Sequence, residues 1–345
     1  MAYSSITKPS DYFSTKLYTG NGGTQAITGV GHQPDWTWIK RRDSSVADHS
    51  LHDVVRGSTN RLESNTTNAE SSQANSITSF NTDGFTLGNY ATVNGSGNIF
   101  ASWNWKAGAG QGSSNTDGSI NTTYTSVNTT AGFSISGYTG TGSNATVGHG
   151  LGAIPKMIIF KVRDGATAWV VYHKNVGPTK GLFLNTNGTG STVSAYFQDT
   201  NPTSSVFSVG SDADTNGSSK SMITYCFAEK TGFNKFGSYI GNGDANGTFV
   251  YTGFKPAFVM LKNTTTAASW LMYDNKRLGY NVDNNELVAN TADDEETYDQ
   301  IDILSNGFKM RANGTSTNKS GDTFIYMAFA ENPFVASNYN VATAR

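Results

Sequence analysis

Charge is scarce in this chain. Only 14% of its 345 residues are Asp, Glu, Lys or Arg, and the formal net charge is −2. A nucleic-acid binder carries a basic excess that neutralises phosphates, so nucleic acid is not an expected partner. Cysteine is nearly missing. The single Cys226 excludes an intramolecular disulfide and says little about compartment. No apolar run approaches the roughly 18 residues of a membrane helix, so no membrane insertion is expected. Met1–Lys16 has no apolar stretch of the kind found in a secretory signal, so synthesis and folding in a cytoplasm are expected.

What is there points to β-structure. Aromatics reach 12%, with 16 Tyr, 19 Phe and 6 Trp, enough to fill several small cores and to exclude disorder. The polar remainder is mostly Gly, Ser, Thr and Asn. These residues favour turns and strands over helix interiors.

The chain is internally repetitive. Tyr18-Thr19-Gly20-Asn21-Gly22, Tyr138-Thr139-Gly140-Thr141-Gly142 and Tyr239-Ile240-Gly241-Asn242-Gly243 open three segments alike. Pro34, Pro155 and Pro256 follow, and then Lys40, Lys161 and Lys262, each at the same offset from its proline. Between them lie the apolar runs Trp36–Ile39, Met157–Phe160 and Phe258–Leu261. A Leu-x-x-Asn element recurs at Leu62/Asn65, Leu182/Asn185 and Leu287/Asn290, and a lone strand phenylalanine at Phe85, Phe207 and Phe308. A polar turn begins at Asn94, Asn216 and Asn318, and a closing strand ends on Trp105, Phe227 and Phe329.

These patterns predict an all-β chain of three tandem, diverged β-sandwich or jelly-roll-like repeats of about 95 residues. The glycine-rich openings supply positive φ and read as turns. Each four-residue apolar run reads as a strand buried on both faces. Along the closing strand, Tyr225 and Phe227 face one way and Cys226 the other, as a small core residue. One repeat alone is marginal against its chain entropy, so neighbouring units or a partner chain should support it. The expected divisions are repeat 1 with an N-terminal arm at 1–107, repeat 2 at 132–232, repeat 3 at 233–331 and a surface tail at 332–345. Residues 108–131, rich in Gly, Ser, Thr and Asn, read as a flexible spacer or extended arm. Lys230-Thr231-Gly232 is so short that repeats 2 and 3 should dock closely, with room for strand pairing across the junction.

Candidate chemistry is thin. His32 and His149 flank turns before their prolines and could touch a ligand; equally, they could bond backbone. His49 and His52 have His-x-x-His spacing without the further ligands a zinc site needs. Asp212, Asp214 and Asn216 match the first half of a calcium loop, although Ile223 stands at the twelfth position, so calcium is a possible cofactor and turn chemistry the alternative. The acidic run from Asp293 to Asp302 reads as a solvated face rather than a glycosidase pair. Trp169 and Trp270, with Tyr172 and Tyr273, could stack on sugar rings or pack inside the sandwich. Repeat 1 lacks that tryptophan, with Asp48 at its place. No catalytic constellation emerges, and the chain is expected not to be an enzyme.

Met1-Ala2-Tyr3-Ser4, Lys8–Phe13, Gly148–Gly152 with Pro155–Ile159, Tyr225–Lys230 and Phe249–Pro256 together resemble β-rich virion proteins of tailed bacteriophages, many of them marine. The resemblance covers almost the whole chain. It implies a virion location and a structural role, often that of a tail fibre or tail protein. No catalytic residues are defined for that family, so none is carried over. The expected function is therefore a tail fibre or receptor-binding protein contacting a host-surface glycan or protein, with other virion proteins as partners. Its alternatives are a capsid decoration or head-fibre protein and, last, a glycan-degrading tailspike. A homotrimer is the common fibre assembly, although three internal repeats could create a pseudo-threefold shape within one chain. The residues ahead of Tyr18 are the candidate attachment segment.

Overall fold

A computed structural model describes residues 4–278, 281 and 284–333. The chain is all-β, and its helical content among the described residues is limited to short turns such as Ala91–Asn94, Ser194–Phe197 and Ala213–Asn216.

Each repeat forms two antiparallel layers. In repeat 1 the larger sheet runs, in spatial order, Phe13–Thr19, Ile99–Trp105, Trp36–Arg41, Ser50–Asp53, Gly57–Leu62 and Ser71–Ser72. A smaller sheet of Gln25–Thr28, Gly84–Leu87 and Ile77–Asn81 covers one face of it. Repeat 3 copies this plan, with Asn234–Ile240, Thr323–Pro333, Phe254–Asn263, Leu271–Asp274, Asn284–Val288 and Glu296–Tyr298 under Phe249–Tyr251, Gly307–Met310 and Ile301–Leu304. In repeat 2 the larger sheet has the same order with one strand more, Tyr124–Asn128, at the free edge of Phe133–Thr139, and the smaller sheet has two strands, Ala145–Gly148 and Val206–Val209.

Period-two alternation divides the side chains between two kinds of core. From Met157 to Phe160, Met157 and Ile159 enter a core shared by all three repeats, while Ile158 and Phe160 enter the sandwich of repeat 2 alone. Phe258 and Met260 against Val259 and Leu261 repeat the division. In repeat 1, Trp36 and Trp38 face the shared core and Ile39 its own sandwich. Tyr225 and Phe227 likewise point to the shared core and the buried Cys226 away from it. The three larger sheets therefore surround a common axis. Trp36 stacks on Tyr225 of repeat 2 at 4.4 Å between ring centroids, Phe13 on Phe329 of repeat 3 at 4.9 Å, and Phe227 meets Phe236 at 5.9 Å. This shared burial supplies the support that a lone repeat lacks.

The repeat signature closes each sandwich at one end. Asn94, Asn216 and Asn318 are fully buried. Each accepts the backbone N–H of the residue after the first turn glycine (Asn21, Thr141, Asn242) and donates to carbonyls of the same turn. Tyr18, Tyr138 and Tyr239 each donate their hydroxyl to the carbonyl of the residue just before that asparagine. Gly20, Gly140 and Gly241 are required by contact: an added Cβ would lie 2.2–2.3 Å from a carbonyl oxygen of the facing turn. Gly22, Gly142 and Gly243 hold φ near +70°, where a side chain is strained.

Three expectations change. Residues 108–131 are not a free spacer, because Tyr124–Asn128 joins the sheet of repeat 2 and Ile120 bridges to Val147 on its smaller sheet. The buried Asp35 carboxylate anchors the start of this segment by accepting the N–H groups of Ala107, Ala109 and Gly110. The boundary of repeat 2 therefore falls before 132. The arm ahead of Tyr18 is part of the fold, with Ile6 and Phe13 in the shared core. Repeats 2 and 3 dock closely, but their larger sheets stay separate apart from an isolated Lys230–Asn234 bridge. The surface tail lies outside the described residues beyond Pro333.

Candidate functional site

The repeated polar side chains meet where one repeat touches the next. Lys40, Lys161 and Lys262 are fully buried on the axial faces. Their ammonium groups donate across the joints to the carbonyls of Ala292, Thr67 and Asn187 at 2.9, 3.3 and 2.8 Å. Repeat 1 thus binds repeat 3, repeat 2 binds repeat 1 and repeat 3 binds repeat 2, a closed cycle. Burial pulls each lysine down to a pKa of about 8.

The Leu-x-x-Asn element supplies the other half of this joint. Its carbonyls one residue after the leucine accept Trp169 Nε1–H at Glu63, Trp270 Nε1–H at Phe183, and His49 Nε2–H at Val288, at 2.8, 2.8 and 3.0 Å. Its asparagines Asn65, Asn185 and Asn290 accept the backbone N–H of His49, Trp169 and Trp270. His49, not Asp48, therefore stands where repeat 1 lacks the tryptophan. Its Nδ1 accepts Trp38 Nε1–H at 2.8 Å, which leaves the proton on Nε2.

A second set of contacts runs around the axis in the opposite sense. Asp53, paired with the buried Arg56, accepts Tyr225 O–H of repeat 2 at 2.7 Å. Asp274, paired with the buried Arg277, accepts Trp103 Nε1–H of repeat 1 at 3.0 Å. His173 occupies the matching position in repeat 2 and contacts the Tyr326 carbonyl at 3.3 Å. Glu70 links Arg56 to Arg163, and Glu295 links Arg277 to Arg42. Burial pushes the Glu295 carboxyl up, but Arg42 and Arg277 outweigh it and hold the group below its usual range. Glu295 belongs to the acidic run read as a solvated face; its position against two arginines is visible only once the repeats close into a ring.

The other sequence candidates are placed as follows. Trp169, Tyr172, Trp270 and Tyr273 are buried, so none offers a ring face to a sugar. Tyr172 donates to Asn201, and Tyr273 to Glu286. His32 and His149 are buried beside the carbonyls of Ser10 and Thr203. The calcium candidates lie on one helical turn: Asp212 caps it by accepting Asp214 N–H, and the Asn216 amide is committed to the turn clamp. Among the described residues no group of three or more His, Cys, Asp or Glu could hold a metal.

One concave site was not anticipated. A cleft of about 210 Å³ lies between repeats 1 and 2, where the 108–131 segment crosses the joint. Val55, Thr123, Tyr124, Gly137, Thr139 and Arg163 are among the residues that line it.

Residues 8–333 match the family described as domain of unknown function DUF7483. The chain belongs to that family. The match spans all three repeats. A comparison with curated proteins finds no match.

Proposed function

We propose that the protein is a non-enzymatic structural component of a tailed-phage virion, acting as a compact receptor-binding part of a tail fibre. The observation that carries this reading is the use made of its reactive side chains. Its buried histidines, lysines and Asp–Arg pairs are engaged in packing and in the joints between repeats, and the exposed loops remain for display. The resemblance to phage virion proteins supports the location, with other virion proteins and a host-surface glycan or protein as partners. A ring of three repeats also suits a threefold position, either as one copy with internal pseudo-symmetry or as a homotrimer. A capsid decoration role is the second reading, favoured by the single shared core, which makes a compact body rather than a column of stacked repeats.

Immunogold labelling of virions with an antibody against this chain tests the proposal. Label at the distal tail is the expected result. Label spread over the head would replace the fibre reading with decoration, and no label on purified virions would overturn both.

A further inference from the structure

We propose that the cleft between repeats 1 and 2 binds a single pyranose ring of a surface glycan, with Tyr124 as its stacking platform. This rests on the receptor-binding reading and names the site and ligand class for it. The cleft is about 210 Å³, against about 70 Å³ for a concavity at the joint between repeats 3 and 1 lined by Phe13, Asn275 and Lys276. Gly137 takes the strand position held by Leu17 in repeat 1 and Ser238 in repeat 3, directly before the repeat's tyrosine. Ser238 closes its joint by bonding to Asn175 at 3.0 Å, and Leu17 packs against the shared core. Gly137 has no side chain, so the space beside Val55 stays open.

The glycine is not there for backbone freedom, because its φ lies outside the left-handed region. A Cβ would meet Val55 Cγ1 at 3.3 Å and the Met222 carbonyl oxygen at 3.7 Å. Tyr124 lies directly opposite Gly137 in the sheet register. Cross-strand partners share a face, so the phenol stands beside the gap, and it remains 38% exposed. The rest of the wall is hydrogen-bonding. Thr123 and Thr139 are exposed hydroxyls. Arg163 turns its Nε and one Nη to Glu70, and its other Nη makes no hydrogen bond among the described residues. An aromatic face beside hydroxyls and a fixed guanidinium matches the apolar face and equatorial hydroxyls of a sugar. The space of about 210 Å³ equals about seven waters, which suits one ring. The carboxylates of Asp53 and Glu70 neutralise Arg56 and Arg163, so a neutral sugar fits without an unpaired charge.

Saturation-transfer NMR on the full chain with a panel of methyl glycosides (gluco, galacto, manno and N-acetylglucosamine) tests the site. At least one member should give transfer. The affinity should fall at least roughly tenfold in Tyr124→Ala and in Gly137→Ser, which installs the side chain that repeat 3 carries. Thermal unfolding of both variants controls for folding. A panel with no transfer, or a signal that survives both substitutions in folded protein, overturns the proposal. Binding of labelled protein to host cells separates this from the broader reading. If the wild type binds cells and both variants bind equally well, the cleft is not the receptor site while receptor binding stands. If the wild type binds no cells, the receptor reading itself fails.

Discussion

The joint between repeats 3 and 1 and the joint between repeats 2 and 3 occupy equivalent places around the axis but are made of different chemistry. The first holds Asp274–Arg277, Trp103, and the Arg42–Glu295–Arg277 bridge. The second holds His173 against a carbonyl, Asn175 against Ser238, and the shared apolar contacts. Thr264 stands two residues after Lys262, where Arg42 and Arg163 follow their lysines. The backbone geometry and the lysine latch are common to both, so they define the ring. The ion pairs are local solutions, and a joint without them can carry the same architecture.

The sharpest way to break both joints is acid. The chain has five histidines, and all are buried. Burial lowers His49, His52 and His173 to a pKa of about 3 and His32 to about 4, and it lowers His149 as well. Between these values and about 6.5 the unfolded chain binds more protons, so stability falls as pH drops through that window. Each histidine contributes about 1.4 kcal/mol per pH unit. Geometry agrees: Nδ1 of His49, His149 and His173 accepts an N–H, which a second ring proton would oppose. Asp35, Asp214 and Glu286, pushed up by burial, act in the opposite sense. Thermal melts between pH 7 and 4 should show a steep, cooperative loss. A flat profile would remove the histidines from the joints.

Asp274→Ala should be the next largest effect, about 3–5 kcal/mol, because it leaves Arg277 charged and buried. His173→Ala at the joint without these ion pairs should cost less, about 1–3 kcal/mol. Urea denaturation of both variants checks the ranking, and equal losses would contradict the distinction between the two joints. Glu295→Gln should cost about 1–2 kcal/mol, and a double-mutant cycle with Arg42→Ala should recover the coupling.

The lysine latch offers a smaller test of what the joints share. The folded pKa values of about 8 lie below the unfolded value of 10.5. Stability should therefore rise from pH 8 to about 10, above which buried tyrosines with raised pKa, such as Tyr138 and Tyr273, reverse the trend. Smallest of all is chelation. With Asp212 serving as a helix cap and Asn216 inside the turn clamp, EDTA should leave the melting temperature unchanged. A drop would return calcium to Asp212 and Asp214.

Much of this could be read from the chain alone. Alternation at Met157–Phe160 and at Tyr225–Phe227 marks two-faced strands, because a pleated backbone sends neighbours to opposite sides whatever surrounds it. The recurrence of Tyr18, Tyr138 and Tyr239 before a glycine turn, and of their asparagines eleven residues ahead of Trp105, Phe227 and Phe329, marks the same turns in all three units, since local geometry repeats where local sequence does. The sequence determined the all-β class, the triplication and the inward aromatics. It could not say that the aromatics of three repeats meet in one core, that His49 replaces a tryptophan across a one-residue shift, that Glu295 answers Arg42, or that the 108–131 segment walls a cleft at Gly137. Those facts depend on which residues far apart in the chain become neighbours when three sheets close around an axis. That closure is decided by long-range burial and by polar groups that must find partners once water is gone.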